Sequence, residues 1–178
     1  MAEWKTGIRS SVQHFDRLSL IDTDIGKLVC SLLYICEGAK YPSTRGLAFA
    51  NSDPEIIACF LNLLRNNFGI EEKKLRCRVM YRCDQDIGEL NSYWASVTKI
   101  PLCQFFKSAP DARTKDRPTL KATYKGVCSI QYSDTTLQFR LMAIGERIMK
   151  SGAGGDRTLE PLACHASALP IELQPLVF

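Results

Sequence analysis

The chain has 178 residues, of which 46% are hydrophobic, and a formal net charge of +4. This length supports one domain with its own core. The polar N-terminus excludes a signal peptide and no apolar run is long enough to span a membrane, so we expect a cytoplasmic protein.

The cysteines indicate neither a zinc site nor a disulfide framework. No Cys-x-x-Cys is present, and only two histidines could complete a metal site. Most of the thiols lie in apolar or strand-like runs, which predicts buried free thiols in a reducing compartment. The eight are Cys30, Cys36, Cys59, Cys77, Cys83, Cys103, Cys128 and Cys164.

The chain divides into three parts. Residues 1–21 are predicted to be an N-terminal extension, and residues 22–150 form the domain. The tail, 151–178, opens with Ser-Gly-Ala-Gly-Gly and has no clear hydrophobic period. We therefore expect the tail to be poorly packed and outside the fold.

Residues 25–40 are predicted to form an apolar helix, because their hydrophobic side chains recur at helical spacing. Thr23 or a neighbouring aspartate can cap its start. Gly38 is expected to end the helix with a positive φ. Glu37 is thus placed at the end of an apolar helix, where a carboxylate is costly unless it has a partner.

A strand at 45–50 is followed by the sequence Asn-Ser-Asp-Pro-Glu, which is typical of a helix start. This second helix is predicted to run to about residue 67, with Gly69 ending it. A third helix is predicted at 84–99, with Trp94 in the core, and a short strand at 102–106. A strand at 126–132 and a final helix through residue 150 complete the domain.

Residues 73–82 alternate between apolar and basic or polar side chains, which predicts a strand with one buried face. The other face would carry Arg76, Arg78 and Arg82, with a spacing of roughly 6.6 Å between successive residues of that face. This spacing is compatible with successive phosphates of a nucleic acid. An ordinary exposed face is the alternative, but arginines repel one another unless an anion neutralises them.

Positive charge is concentrated between residues 73 and 125, which hold twelve Lys and Arg against five acids. The segment therefore carries +7 and the rest of the chain −3, which indicates a polyanionic partner. The polar loop 108–125 is either a mobile tip that orders on phosphates or a solvated loop. In the strand that follows, Gln131 is a candidate for reading adenine.

These elements predict an α+β fold with a mostly antiparallel sheet, helices on one face and an open, saddle-like face opposite. Residues 30–38, CSLLYICEG, together with 49–55, 68–69, 75–78, 93–94 and 97–101, resemble the LAGLIDADG homing endonucleases. The similarity is greatest to a prokaryotic branch with a single motif of the form LGLYWGEGxK, and it covers about residues 25–150.

The resemblance implies an αββαββα-like domain whose saddle binds double-stranded DNA in the major groove. It also implies a homodimer in which the motif helix packs against its copy. Each copy would supply one acid, Glu37, with Gly38 beside it, to bind Mg²⁺ or another divalent cation. Candidate DNA contacts are Lys40, Arg45, Lys74, Arg76, Arg78, Arg82, Arg113, Lys115, Arg117 and Gln131.

The chain departs from the family at Leu32, where close helix packing usually requires a small residue. Ser31 and Cys36 remain small, which still permits a similar helix pair, one that is looser or shifted. Only one motif is present, and an active enzyme would have to be a symmetric dimer. Two alternatives are a non-cleaving DNA-binding regulator that uses the same saddle, and an RNA-binding or structural domain.

Overall fold

The computed structural model describes residues 10–21, 23–40 and 45–152. Within these residues the fold is α+β, as predicted, with four helices covering one face of a three-stranded antiparallel sheet. The predictions for residues 1–9 and for the tail beyond residue 152 lie outside the described residues. In chain order the elements are α1 (Asp24–Glu37), β1 (Leu47–Asn51), α2 (Pro54–Phe68), β2 (Leu75–Met80), α3 (Ile87–Thr98), β3 (Val127–Tyr132) and α4 (Thr135–Gly152).

The sheet has the order β1-β3-β2, so β3 is the central strand. Both outer strands pair with β3 in the antiparallel direction. The residues that share one face alternate along each strand and are buried in the domain core: Leu47 and Phe49 on β1, Leu75, Cys77 and Val79 on β2, and Cys128, Ile130 and Tyr132 on β3. The helices pack on this face, and the opposite face is left open.

Aromatic side chains fill the space between the sheet and the helices. Phe49 of β1 stacks on Phe60 of α2, with ring centroids 3.9 Å apart. Trp94 is fully buried, and its indole N–H donates to the carbonyl of Lys125 at 2.7 Å. The prediction that Trp94 belongs to the core is therefore confirmed, and this contact holds the start of β3 against α3.

The ends of α2 follow local sequence signals. Asp53 caps the helix by accepting a hydrogen bond from the backbone N–H of Glu55 at 2.8 Å, and Pro54 occupies the first turn. Gly69 ends the helix in the left-handed region, with φ of 58°. Thr23 caps α1 in the same way, accepting from Gly26 at 3.0 Å.

Helices α1 and α4 approach each other closely at Gly145. A Cβ at this position would lie 2.7 Å from the Cδ1 of Ile35 and 3.2 Å from the carbonyl oxygen of Ser31, so glycine permits the contact. Ser31 is fully buried there. The expectation that Ser31 helps a helix pair between two subunits is therefore wrong, because Ser31 is already buried within its own chain, where its hydroxyl donates to the Lys27 carbonyl at 2.7 Å.

The strand predicted at 102–106 is instead a 3-10 turn at Leu102–Gln104 followed by an isolated parallel bridge between Phe105 and Cys77. The side chain of Gln104 donates to the carbonyls of Glu72 and Leu75, at 2.8 and 2.7 Å. The amide of a side chain therefore occupies part of the edge of β2 that a fourth strand would have used.

The cysteines divide into two groups by exposure. Cys30, Cys77 and Cys128 are buried, whereas Cys36, Cys59, Cys83 and Cys103 are exposed. The prediction of buried thiols is wrong for the second group, because an apolar run along the chain does not fix which side of a helix or turn faces solvent.

Two of the buried thiols, Cys30 and Cys128, have raised pKa values. Burial raises the pKa of Cys30 to about 12. The Sγ atoms of Cys77 and Cys128 lie 3.4 Å apart in a thiol–thiol hydrogen bond. That bond, and burial after it, raise the pKa of Cys128. Within the described residues, no helix combines the length and hydrophobicity that a membrane span requires.

Candidate nucleic-acid interface

The open face of the sheet carries two polar rows that run across all three strands. Strand pairing places Gln131 between Ala48 and Arg76, and Ser129 between Ala50 and Arg78. None of these six side chains is buried. We use the name open face for this surface, together with Met80 and Val127, which are paired at its far end.

The two arginines of the open face are positioned differently. Arg76 is half-buried, and its Nη1 donates to the carbonyls of Lys73 and Leu75, at 2.6 and 2.8 Å. Arg78 is exposed, and its guanidinium lies over the ring of Phe106, 5.2 Å from the centroid. Phe106, which is 38% exposed, adds an aromatic surface that the sequence analysis missed. The alternation of β2 could not reveal it, because the contact joins residues that are 28 positions apart.

Arg82 does not belong to the open face, and its assignment to the arginine strand is wrong. The strand ends at Met80, which is 46% exposed in the third outward position. Beyond it, Arg82 forms an isolated bridge with Asp111, and its Nη2 donates to the carbonyl of Arg117. The open face therefore carries two arginines and a methionine rather than three arginines.

Three further predicted DNA contacts surround the sheet. Arg45 is exposed and, with Gly46 and Gln131, lines a recess of about 230 Å³ at the end of the open face. Lys40 donates from its Nζ to the carbonyl of Ile35. Lys74 is paired with Glu71, and that hydrogen bond raises the pKa of its ammonium group. Of the three, only Arg45 lies beside Gln131, and the two lysines already have partners within the chain.

The loop from Asp111 to Lys125 is attached to the turn that follows β2. Cys83 N–H donates to Thr114 Oγ1 at 2.9 Å, and Gln85 Nε2 donates to the carbonyl of Tyr124 at 2.8 Å. Neither the mobile-tip nor the solvated-loop prediction anticipated these attachments. Of the basic residues predicted there, Arg113 pairs with Asp111 at 2.8 Å, while Lys115 and Arg117 have exposed side chains.

Asp84 makes the most direct attachment of this loop. One carboxylate oxygen accepts from the backbone N–H of Thr119, and the other accepts from its hydroxyl at 2.9 Å. The bond from the Thr119 backbone is the main cause that lowers the pKa of Asp84 below its ordinary value of 3.8. A carboxyl whose pKa is lowered by folding stabilises the fold above its unfolded pKa, and this contribution is lost as the pH falls through the folded value.

We therefore expect the amide resonance of Thr119 to titrate with a midpoint below 3.8, the ordinary pKa of Asp84. Proton–nitrogen correlation spectra recorded as a function of pH measure this midpoint. Asp84→Asn should remove the titration from Thr119, whereas Asp116→Asn, an exposed acid in the same loop, should leave it in place. A midpoint at or above 3.8, or a titration that survives Asp84→Asn, would show that the attachment is misassigned.

Glu37 is the last residue of α1 and is exposed at the edge of the same sheet. The next residue, Gly38, forms an isolated antiparallel bridge with Phe49 of β1, and Ala39 N–H donates to the Ala48 carbonyl at 2.9 Å. The chain thus passes directly from the end of α1 onto the edge of the sheet, and this places the Glu37 backbone beside β1.

Gly38 does not adopt the positive φ that was predicted. Its φ is −80° and its ψ is 156°, so its backbone is extended. Glycine fits here for a steric reason, because a Cβ would lie 2.4 Å from the ring of Tyr34. The ring is in turn fixed by a hydrogen bond from its hydroxyl to the Ala39 carbonyl at 2.7 Å.

Glu37 makes no ion pair with any described residue, and the described part of the chain holds no cluster of three or more His, Cys, Asp or Glu that could bind a metal. The described residues therefore offer a single exposed carboxylate at this position. A divalent cation usually requires additional oxygen ligands, and no second acid among the described residues accompanies Glu37.

The side of α1 that faces away from the core is apolar. Ile25 is 45% exposed, Cys36 is exposed, and Leu28 and Leu32 are half-buried without belonging to the core. We call these four residues the outer α1 face. The opposite side of the helix packs on α2 and α4, so α1 is apolar around most of its circumference. This pattern is typical of a helix that is buried or forms an interface.

Comparisons of the sequence with protein families and curated proteins, and of the structure with solved structures, give no match.

Proposed function

We propose that the chain is a LAGLIDADG-type homing endonuclease-like protein that binds double-stranded DNA on the open face and cleaves it as a homodimer with Mg²⁺. One observation carries this proposal. The polar rows containing Arg76, Arg78 and Gln131 share a sheet with the strand beside which Glu37 lies. A basic surface and an unpaired acid are thus held by one rigid element.

The chemistry of the open face suits DNA. Arginines can contact phosphates or pair with guanine edges, and glutamine can pair with adenine. Arg76 and Gln131 are directly opposite each other on neighbouring strands, so both could reach adjacent bases or a base and its phosphate. Ala48 and Ala50 have small side chains, so no long side chain protrudes from the β1 side of the open face. A duplex can therefore approach this side closely.

The arrangement around Glu37 fits a metal that two copies share. The Glu37 carboxylate of each subunit would be a ligand, with the Gly38 carbonyl as a second oxygen donor. When bound, Mg²⁺ activates water and stabilises the leaving oxygen of a phosphodiester. The chain itself would hold the carboxylate at the end of α1, fix the backbone of residues 38 and 39 on the sheet, and orient the duplex with the arginines of the open face.

The outer α1 face supports the dimer. A symmetric dimer uses the same patch on both subunits, and a row of apolar side chains along one helix can meet its own copy. Burying Ile25, Leu28 and Leu32 against a partner would remove their apolar surface from water. Glu37 is the last residue of this helix, so two copies of α1 that cross near their C-terminal ends would place the two carboxylates near one junction.

A non-cleaving DNA-binding regulator is the second candidate. It would use the same open face and the same dimer, and would not need the carboxylate. The described residues offer Glu37 as one acid and hold no metal-binding cluster. This observation favours keeping the non-cleaving regulator as a second candidate. Cleavage assays distinguish the two functions, whereas binding to the open face is common to both.

DNA binding is tested by replacing the arginines of the open face. We expect Arg76→Gln with Arg78→Gln to weaken duplex binding at least about tenfold and to reduce the salt slope by about two, since each phosphate contact contributes about one. Fluorescence anisotropy over a range of salt concentrations, with duplex and single-stranded probes, measures both quantities.

The matched control is Arg140→Gln with Arg147→Gln, which removes the same charge from exposed positions on α4. The control should change the affinity for duplex DNA only slightly, because it lowers the net charge of the protein. If the control and the open-face variant bind duplex equally well, the open face is not the DNA-binding surface. If single strands bind more tightly than duplex, the target class is wrong.

A further inference from the structure

A groove of about 650 Å³ lies beyond the end of β2, between Arg82 and the loop that Asp84 attaches. Its volume is within the range of small-molecule sites, which is roughly 300–1,000 Å³. Most of its wall is apolar, and the residues that matter here are Arg82, Arg117, Pro118, Leu120, Lys121 and Tyr124. Neither the proposed DNA contact through the open face nor the Glu37 site uses this groove.

The groove is positively charged. Arg82, Arg117 and Lys121 line it, and Asp116 is the one acid in its wall. The side chains of Arg117 and Lys121 form no ion pair with any described residue. Arg82 forms an ion pair with Asp84 at 3.8 Å, so the charge that this pair does not offset comes from Arg117 and Lys121 against Asp116. This balance favours an anionic ligand.

Arg82 has unused hydrogen-bonding capacity. Its Nη2 donates to the Arg117 carbonyl, but its Nε is buried without a hydrogen-bond partner and lies 3.8 Å from the nearest Asp84 carboxylate oxygen. A buried donor without an acceptor is costly. An oxyanion in the groove could engage the guanidinium of Arg82 with a small movement of the loop.

The groove also has an apolar side. Leu120 is 97% exposed, which is unusual for a leucine in an attached loop, and Pro118 and the half-buried Tyr124 lie beside it in the groove wall. Inorganic phosphate would use the cations and leave this surface in contact with water. A ligand that carries a planar, largely apolar group next to its anion would cover both sides.

We propose that this groove binds a nucleoside monophosphate unit, with the phosphate at Arg82, Arg117 and Lys121 and the base against Tyr124 and Leu120. The unit could be a free nucleotide or a nucleotide of a nucleic-acid strand. A strand source is sterically reasonable, because Arg82 follows Met80 by two residues and Tyr124 precedes Val127 by three. The groove therefore adjoins the far end of the open face.

Isothermal titration calorimetry with the full chain tests this site. The small-molecule probes are AMP, GMP, CMP and TMP, the matching nucleosides, and inorganic phosphate. The DNA probes are a duplex with a single-stranded overhang and a blunt duplex of the same sequence, which serves as its reference. The test variant is Arg117→Gln with Lys121→Gln, whose side chains make no ion pair with described residues. The control is Arg147→Gln with Lys150→Gln, which are exposed on α4.

We expect at least one monophosphate, or the overhang duplex in preference to the blunt one, to bind the wild type and the α4 control equally. The groove variant should bind it at least about tenfold more weakly, since it loses two charged hydrogen-bond donors to the phosphate. Binding of a free monophosphate identifies a soluble ligand, and preference for the overhang alone identifies a strand.

Three results would overturn the proposal. The first is that no monophosphate binds and the overhang duplex binds no more tightly than the blunt duplex. The second is that nucleosides or inorganic phosphate bind as tightly as the monophosphates, which would remove the need for one half of the site. The third is that the groove variant binds as tightly as the control. Each of these outcomes compares two probes or two variants, whether or not the blunt duplex binds or is cleaved. They are therefore distinguishable from failure of the proposed function.

Discussion

Replacing Glu37 with glutamine is expected to lower DNA cleavage at least about 100-fold, because metal-assisted charge stabilisation contributes several kcal/mol to a phosphodiester transition state. Glutamine has nearly the same size as glutamate but lacks the negative charge that a divalent cation requires. Glu37 is exposed and makes no ion pair with any described residue, so the substitution should not disturb the fold.

Plasmids whose inserts bind the protein are first enriched from a pool. Conversion of these supercoiled plasmids to nicked and linear forms in Mg²⁺ then measures cleavage. Glu146→Gln, which removes an exposed acid from α4, is the matched control and should cleave as the wild type does. Duplex affinity should be retained in both variants. Equal cleavage by Glu37→Gln and wild type would exclude the catalytic assignment. A wild type that binds the insert and never cleaves it would favour the non-cleaving regulator.

Local signals in the sequence were sufficient to predict the helices and the three strands of the sheet, although not the end of β2 or the turn at 102–106. The start of α2 depends on Asp53 and Pro54 and its end on Gly69, all within a few residues of the boundary that they set. The burial of β2 follows from alternation along one strand, with Leu75, Cys77 and Val79 inside. Such signals involve only neighbouring residues, so no knowledge of the tertiary structure is needed to read them.

The errors arose where a distant contact decides the outcome. Residues 102–106 have the composition of a strand, but the side chain of Gln104 occupies the carbonyls of Glu72 and Leu75. Ser31 is buried where α1 meets α4, at Gly145, which is more than 100 residues away in the chain. A sequence period cannot report which side of an apolar helix meets another part of the same chain.

The candidate site shows the same division. Arg76, Arg78 and Gln131 were placed on one face by strand phase, and the register then brought Arg76 and Gln131 side by side. Arg82 has the correct phase but follows the end of the strand, since its backbone turns to bridge Asp111. The loss of Arg82 from the open face and its place in the groove are therefore two results of the same turn.

The proposed dimer leads to the second large effect. We expect Leu32→Glu to raise the dimer dissociation constant at least about 100-fold, because an unpaired charge buried at an interface costs roughly 3–5 kcal/mol and symmetry introduces two of them. Leu32 is half-buried on the outer α1 face and does not belong to the core. The monomer should therefore remain folded, which circular dichroism checks.

Sedimentation equilibrium over a range of protein concentrations measures the dissociation constant directly. Met149→Glu is the matched control, since it places the same charge at a 56% exposed apolar position on α4 and should leave the dimer unchanged. Under the proposed function, loss of the dimer should also remove cleavage, because each subunit would supply one carboxylate, while some binding to a half-site should persist through the open face. If Leu32→Glu dimerises as the wild type does, α1 is not the interface, and the two Glu37 side chains have no common junction at which to share a metal.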